Sequence, residues 1–441
     1  MFRKFVKSLI PTGLFHSIEP YGHLLEAVMW QVLLGFPAKG LKVIGVTGTD
    51  GKTTTSTMIY TMLNDAGIKT GLMTTIGYGV PENWHENIVH MTTMPTRAML
   101  IRIKELRAEG IDWLVLETTS HALAQYRVWG IPYSLAVMTN VTHEHLDYHK
   151  TFENYRAAKG RLFELAAKNK NGAVKVRGVV NADDPSVEFF SQKVAPNVLQ
   201  YSLKGADIFA THIKSVGLGS EFEVNISDEI FKAHINLPGI FNVSNALAAV
   251  SAGKALGLSN IKIANGLAAL KSVEGRMNAI DEGQDFSVIV DFAHTPDSFE
   301  KLLSAMKNSA TGRLIVVFGS AGRRDESKRA KQGASAGRWA DVVIVTEEDD
   351  RDSDGVLIMQ QIADAAANEH KILNKDLFLI HDRVEAINFA IAQAHAGDTV
   401  MLLGKGHEKT IERADGEHPW DEPGTARAAL TARLKTAHRH W

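Results

Sequence analysis

The chain has 441 residues, too many for one compact core, so two or three domains are expected. A formal net charge of -2, with 45% apolar and 22% charged residues, describes an ordinary globular protein and excludes a global basic field for nucleic acid. Cysteine is absent, which excludes disulfides and thiolate metal sites and fits a reducing, cytoplasmic setting; no apolar run approaches the ~20 residues of a membrane span.

Phe2, Phe5, Val6, Leu9 and Ile10 recur at near-helical spacing with Arg3, Lys4 and Lys7 between them, and LLEAVMWQVLLGF follows as a nearly all-apolar helix. Residues 1–40 therefore read as a short amphipathic helical segment that packs on its own domain or makes peripheral contact with a membrane. From Leu41 the pattern becomes strand, Gly-rich turn, helix: LKVIGV, TGTDGK, TTTSTMIYTMLNDAG. WLVLE at 113–117 and SLAVMTN at 134–140 alternate with helical stretches, which predicts a mostly parallel sheet with covering helices. The alternating pieces EFEVNIS and FKAHINL come next, and LPGIFNVSNALAAVSAGKALG opens a helix rich in small residues. Near Glu274 a second series starts: FSVIVDFAH, GRLIVVFGSAG, ADVVIVT and DTVMLLGKG, four apolar strands separated by helices. The expected architecture is α/β throughout. The helical segment (1–40) precedes a P-loop-type ATPase domain (41–273) and a Rossmann-like doubly wound domain (274–441), with functional loops at strand carboxyl ends.

TGTDGKTTT has the ingredients of a phosphate cradle. Glycines let backbone N–H groups converge on anionic oxygens, Lys52 supplies charge, a following hydroxyl can meet magnesium, and the next helix adds its positive end. The strict G-x-x-x-x-G-K-[ST] spacing is missed, because Val46 stands where the first glycine belongs and Gly48 lies inside the loop instead. Neither the N-K-x-D signature of a GTPase nor the basic, aromatic-rich surfaces of a helicase are present.

Glu117 ends WLVLE, a natural place for a carboxylate to meet nucleotide-bound magnesium. TNVTHEHLDYHK offers His143, Glu144, His145, Asp147 and His149; beside a phosphate site magnesium is the metal expected, with zinc or a plain surface loop as alternatives. By composition Lys159, in YRAAKGRLFEL, is a solvated helix lysine. The acidic stretch TEEDDRDSDG, Thr346 to Gly355, reads by charge alone as a water-facing loop.

Taken in order, GVTGTDGKTTT, ETTSHALAQYRV, TNVTHEHLDYH, LPGIFNVSNALAA, VEGRM, VDFAHTPDSFEKLL and LLGKGHE closely resemble the Mur ligases, and within them the MurE type. The resemblance implies an ATP-dependent ligase that adds the third amino acid to the muramyl peptide of peptidoglycan. The γ-phosphate passes to a substrate carboxylate, an amine attacks the acyl phosphate, and amide and phosphate result; both steps gather negative charge for magnesium and lysine to stabilise.

By resemblance, Lys52 holds the β/γ-phosphates within a loop completed by Thr47, Gly48, Thr49, Asp50, Gly51 and Thr54. Thr53, Glu117, His145 and a carbamylated Lys159 would hold two magnesium ions. Asn242 and Asn245 match positions around adenine, while Arg276, Asp291, His294 and Asp325 match residues that close on the nucleotide. Thr92, Thr93, Thr119, Gln125 and Arg127 match the set that contacts the muramyl dipeptide, with Thr119 standing for the family's Ser. Arg324, Asp349, Asp350, Arg351, Gly404 and Glu408 fall on the amino-acid pocket.

Two departures stand out. MurE-type enzymes begin with a domain that grips the uridine nucleotide, whereas forty residues lead into the phosphate domain here. A lipid-linked or bare muramyl peptide, or a polyglutamate-type substrate, is therefore a second expectation for the acceptor. A non-catalytic nucleotide-binding partner is a third reading, opposed by the presence of Lys52, Glu117, His145 and Lys159. The diaminopimelate-adding type carries D-N-P-R where this chain has Glu348, Asp349, Asp350 and Arg351. The retained arginine, matched to a reader of the distal carboxylate, favours meso-diaminopimelate over L-lysine; the added acids pull the other way.

Overall fold

The computed structural model describes residues 12–87, 91–142, 144–170, 172–216 and 218–437. The expected helix through Phe2, Phe5, Val6, Leu9 and Ile10, with Arg3, Lys4 and Lys7, lies outside the described residues, as does His143. The chain forms two compact units. The first holds the chain up to Lys214 with Glu221–Ile235 and Phe241–Leu270; the second holds Ser215–Ser220, Asn236–Ile240 and everything from Lys271 onward.

The first unit is built on a sheet of β1 (Lys42–Thr47), β2 (Thr70–Met73), β3 (Gly77–Val80), β4 (Asn83–Glu86), β5 (Trp113–Glu117), β6 (Tyr133–Met138), β7 (Gly178–Asn181), β8 (Val198–Ser202), β9 (Ile208–Val216), β10 (Gly219–Ile226) and β11 (Glu229–Ile235). Their spatial order is β11-β10-β9-β8-β7-β6-β1-β5-β2-β3-β4. β1 pairs in parallel with β5 on one side and β6 on the other. All three are buried along nearly their whole length, which is why KVIGVT, WLVLE and YSLAVM are continuous apolar runs and not alternating ones. The chain leaves β1 toward one side and returns on the other, so a crevice opens at the carboxyl ends of β1, β5 and β6.

The helix Lys52–Asp65 follows β1 and buries Thr53, Thr54, Thr55, Ser56 and Thr57 in its first turns. Threonines are weak helix formers because their branched side chains lose rotamer freedom, so packing holds this helix and not propensity. The helix Thr12–Leu33 leaves Tyr21, Leu25, Met29, Val32 and Leu33 exposed. Among the described residues no helix is long and apolar enough to cross a membrane.

The second unit carries β12 (Asn278–Ile280), β13 (Ser287–Asp291), β14 (Leu314–Phe318), β15 (Val342–Val345), β16 (Leu377–Leu379) and β17 (Thr399–Leu403), in the order β12-β13-β17-β14-β15-β16. β13 through β16 pair in parallel and β12 runs antiparallel at one edge. The four strands expected from the sequence are the four inner ones. The edge strands β12 and β16 are three residues each, too short to give a periodic signal. A separate ribbon, β18 (Thr410–Arg413) and β19 (Gly416–Pro419), follows the last parallel strand. Arg383 is fully buried and bonds Glu422 through Nε (2.9 Å) and Nη2 (2.6 Å), tying the start of the helix Glu422–Ala437 to the helix Arg383–Gln393.

Candidate active site

The loop between β1 and the helix Lys52–Asp65 is bent by glycines. Gly51 has φ 78°, a left-handed conformation that other residues rarely adopt. Thr139 Oγ1 donates to Asp50 O (2.6 Å), and the Asn140 side-chain amide braces the Asp50 backbone, Oδ1 accepting from Asp50 N (2.9 Å) and Nδ2 donating to Asp50 O (3.2 Å). Thr49 Oγ1 lies 3.1 Å from the Tyr155 hydroxyl. Lys52 folds its ammonium back onto Thr49 O at 2.6 Å, at the head of the helix where an anion is favoured. Thr47 and Thr54 are buried beneath.

Glu117, at the end of β5, is buried, and the Thr53 hydroxyl lies 3.1 and 3.0 Å from its two carboxylate oxygens. The Thr75 backbone N–H and hydroxyl also donate to Glu117 Oε2, at 3.0 and 3.1 Å. Composition reads Lys159 as solvated, and the structure corrects this. It is buried, its Nζ donates to Gly48 O at 2.5 Å, and it sits 4.4 Å from the Tyr155 ring centroid. Burial, aided by the neighbouring Lys52 charge, drives its pKa well below that of an ordinary lysine. His145 has φ 55° and sets its ring edge-on to His121 at 4.7 Å.

This donor set fits magnesium. A hydroxyl and a carboxylate converge at the phosphate loop, both hard oxygen ligands. Only an unprotonated amine can take up carbon dioxide and become anionic, and burial shifts Lys159 toward that form.

The acceptor residues predicted from sequence are brought together. Thr93 Oγ1 is 3.1 Å from Thr119 Oγ1 and 3.0 Å from Glu117 O, and Thr92 reaches Thr75 at 3.1 Å. Arg127 is buried, its Nε donating to Gln125 Oε1 (3.0 Å) and its Nη1 to Thr93 O (2.5 Å) and Met94 O (3.2 Å). Asn245, on the helix Ile240–Ala255, accepts from Thr55 at 3.3 Å and donates to Asn242 at 3.1 Å.

In the second unit, Arg276 and His294 both lie against Phe292, with the Arg276 guanidinium 4.8 Å from that ring centroid. Asp291 spends its carboxylate on the backbone N–H groups of Met277 and Ala293, both at 2.7 Å, so it shapes the turn after β13. Asp325 is exposed and accepts from Ser327 N at 2.9 Å; the Ser327 hydroxyl first, with that N–H, holds its carboxyl below the usual range. Arg324 is likewise exposed.

The acidic loop after β15 is only half a solvated loop. Glu347, Glu348 and Asp350 are buried, while Asp352 is exposed, contrary to the reading from charge alone. Asp349 Oδ1 accepts from Lys405 Nζ (2.8 Å) and from Glu412 N (2.9 Å), and Lys405 also pairs with Glu408 at 2.6 Å. Gly404 has φ 102°, and a Cβ there would stand 2.7 Å from Glu348 Oε2. Asp350 faces His381 at 3.2 Å, and burial raises its pKa. Thr75, Asn140 and Glu412 were not singled out in the sequence. Asn140 is legible as the polar residue ending SLAVMTN; Thr75 and Glu412 lack such a mark.

A glycine-bent phosphate loop, a hydroxyl–carboxylate pair beside it and a second doubly wound unit define a P-loop-type nucleotide-dependent enzyme. Residues 46–253 match the Mur ligase middle domain, and 275–406 match the Mur ligase glutamate ligase domain. The chain is 40% identical over 420 residues to a UDP-N-acetylmuramyl-tripeptide synthetase of Roseiflexus sp. (strain RS-1), covering 93% of this chain and 82% of that one. It is 38% identical over 419 residues to a UDP-N-acetylmuramoyl-L-alanyl-D-glutamate--2,6-diaminopimelate ligase of Geobacillus thermodenitrificans, covering 94% and 84%. A solved structure of an enzyme with that same name aligns with a TM-score of 0.65 at 32% identity, over 90% of this chain and 80% of that one. A folylpolyglutamate synthase of Mycobacterium tuberculosis shares the fold alone, at 16% identity and a TM-score of 0.67 over 93% and 95%. The chain belongs to the Mur ligase family and is an ATP-dependent amino-acid ligase.

Proposed function

We propose that this protein is a MurE-type ligase of peptidoglycan synthesis, working in the cytoplasm and joining an amino acid to a muramoyl-L-Ala-D-Glu acceptor through an acyl phosphate. The division of labour proposed is ATP and acceptor on 41–273, amino acid on 274–441. Both tripeptide synthetases and diaminopimelate ligases stand among its relatives, which supports the reaction class and leaves the amino acid open.

The observation that carries the reading is the position of Glu117. Its carboxylate meets Thr53 at the phosphate loop, and its own carbonyl accepts from Thr93 of the acceptor set. A γ-phosphate and an acceptor carboxylate held by these two groups of residues meet at one place, which is the proximity phosphoryl transfer needs. Lys52 supplies charge at the phosphates, the buried Arg127 and Gln125 orient the acceptor beside Thr93, and Thr53 and Glu117 would hold magnesium. When bound, magnesium neutralises charge developing on the transferred phosphoryl group. Lys159, carbamylated, would add an anionic oxygen donor beside Gly48.

The test is ADP release over a grid of UDP-linked, lipid-linked and bare muramyl dipeptides against a panel of amino acids, with product masses. Release of ADP with formation of a muramyl tripeptide is expected. ATP binding without turnover on any pair would overturn the reading, and turnover only with a non-muramyl acceptor would replace it.

A further inference from the structure

The arginine that resemblance assigns to a distal carboxylate is already held by the protein. Arg351 Nε donates to Glu412 Oε2 at 2.6 Å, Nη1 donates to Gly322 O at 2.6 Å, and Nη2 lies 4.0 Å from Asp349 Oδ2. The backbone joins in: Arg351 N donates to Glu412 O at 3.0 Å, and Glu412 N donates to Asp349 Oδ1 at 2.9 Å. β18 is thus laced to the acidic loop on both sides of the guanidinium. The other nearby cation, Lys405, is fully buried and shared between Asp349 and Glu408, at 2.8 and 2.6 Å.

The carboxylates are not balanced in the same way. Arg351 pairs with Glu412, and Lys405 with Asp349 and Glu408, with the Arg323 charge also felt by Glu412, whereas Glu348, which lies against Gly404, has no side-chain ion pair of its own among the described residues. Glu348 is 7% exposed, and its Oε2 is buried without a hydrogen-bond partner. Arg383, also in this region, is committed to Glu422, Glu347 O and Leu403 O, and Arg413 is committed to Glu347. A buried carboxylate oxygen without a donor is costly, and a ligand ammonium is the group that would relieve it.

We infer that Glu412 withholds Arg351 from the substrate and that the pocket around Glu348 and Gly404 selects an amino acid whose side chain ends in an ammonium without a carboxylate, of the L-lysine or L-ornithine class. This rests on the ligase function proposed above. A second carboxylate on the side chain, as in meso-diaminopimelate, would have to displace Glu412 from Arg351 or stand beside Glu348 and Glu408 unpaired, which is discrimination by like charge.

The experiment compares initial rates of ADP release by the full chain with UDP-muramoyl-L-alanyl-D-glutamate, ATP and L-lysine, L-ornithine or meso-diaminopimelate, for the native enzyme, Glu412→Gln and Glu348→Gln. The native enzyme is expected to favour lysine or ornithine in kcat/KM. Glu412→Gln removes the negative charge that competes for Arg351, leaving at most a neutral hydrogen bond, and moves the lysine-to-diaminopimelate ratio about tenfold toward diaminopimelate, through KM. Glu348→Gln raises the KM for lysine about tenfold without a matching gain for diaminopimelate. A native preference for diaminopimelate, or an unchanged ratio in Glu412→Gln, would overturn the inference. The native comparison decides alone if a variant fails to fold. If no amino acid drives ADP release with this acceptor, nor with the lipid-linked or bare muramyl dipeptide, the ligase function itself falls; calorimetric titration of the ATP-loaded chain with lysine and with diaminopimelate then tests the pocket independently.

Discussion

The hydroxyl of Thr53 lies 3.0 Å from Glu117 Oε2, joining the first turn of the helix after β1 to the last residue of β5. The two residues are 64 positions apart, yet the parallel pairing of β1 with β5 places Val46 opposite Glu117 and makes their meeting unavoidable. A hydroxyl and a carboxylate at one point beside a phosphate loop is what a hard dication requires.

Glu117→Gln keeps the shape of the side chain and removes its charge. Turnover is expected to fall by about a hundredfold or more, the scale of lost electrostatic stabilisation at a phosphoryl-transfer site. Steady-state ADP release against magnesium concentration checks it, and an unchanged kcat would remove Glu117 from the metal seat.

Lys159→Met is expected to abolish ligation while raising thermal stability at neutral pH. Burial and Lys52 depress the pKa of this lysine in the fold, whereas the unfolded chain binds that proton up to the ordinary lysine value of 10.5. The unfolded state therefore holds more protons throughout the window from the depressed pKa to 10.5, so folding costs most at low pH and stability rises with pH across it. The gain in melting temperature from Lys159→Met should shrink as pH climbs toward 10.5, measured in bicarbonate-free buffer to keep the amine unmodified.

Gly51→Ala meets two obstacles. The backbone is left-handed at φ 78°, and an added Cβ would stand 2.3 Å from Asn245 Oδ1. A loss of ~1–3 kcal/mol of stability with weakened nucleotide binding is expected. Pairing it with Asn245→Ala should recover the steric part and leave the cost of the left-handed backbone, read by denaturant titration.

Arg383→Met leaves the buried Glu422 charge without its guanidinium, the Trp420 Nε1 donor remaining, and should cost about 3–5 kcal/mol. Adding Glu422→Leu removes the stranded charge, and much of that loss should return. A double-mutant cycle by chemical denaturation measures the coupling; independent, additive effects would count against a shared buried ion pair.

β1, β5 and β6 in the first sheet and β13, β14, β15 and β17 in the second were legible because they are buried along nearly their whole length, so each appears as an uninterrupted apolar run bounded by turns; the four- and five-residue strands β2, β3, β7 and β8 were not marked out. The edges β12 and β16 were not, since three residues carry no period, and neither was the β18–β19 ribbon, whose residues are mostly half-exposed or exposed. The phosphate loop announced itself by glycines and Lys52 in contiguous sequence. Lys159 could not: nothing in YRAAKGRLFEL says which helix face is covered, and only the close approach of Gly48 O and Tyr155 makes it a buried amine. The hold of Glu412 on Arg351 spans 61 positions and depends on a ribbon the sequence does not mark.

The threonine-rich start of the helix Lys52–Asp65 has a consequence for how the enzyme survives in a cell. Its first turns have little intrinsic preference to be helical and end on a loop shaped for a ligand. Linkage makes any nucleotide bound there a folding partner, worth about 2.7 kcal/mol at a hundredfold excess over its dissociation constant. A fall in ATP then does more than slow catalysis. It also withdraws that binding contribution from the stability of the unit that carries the loop.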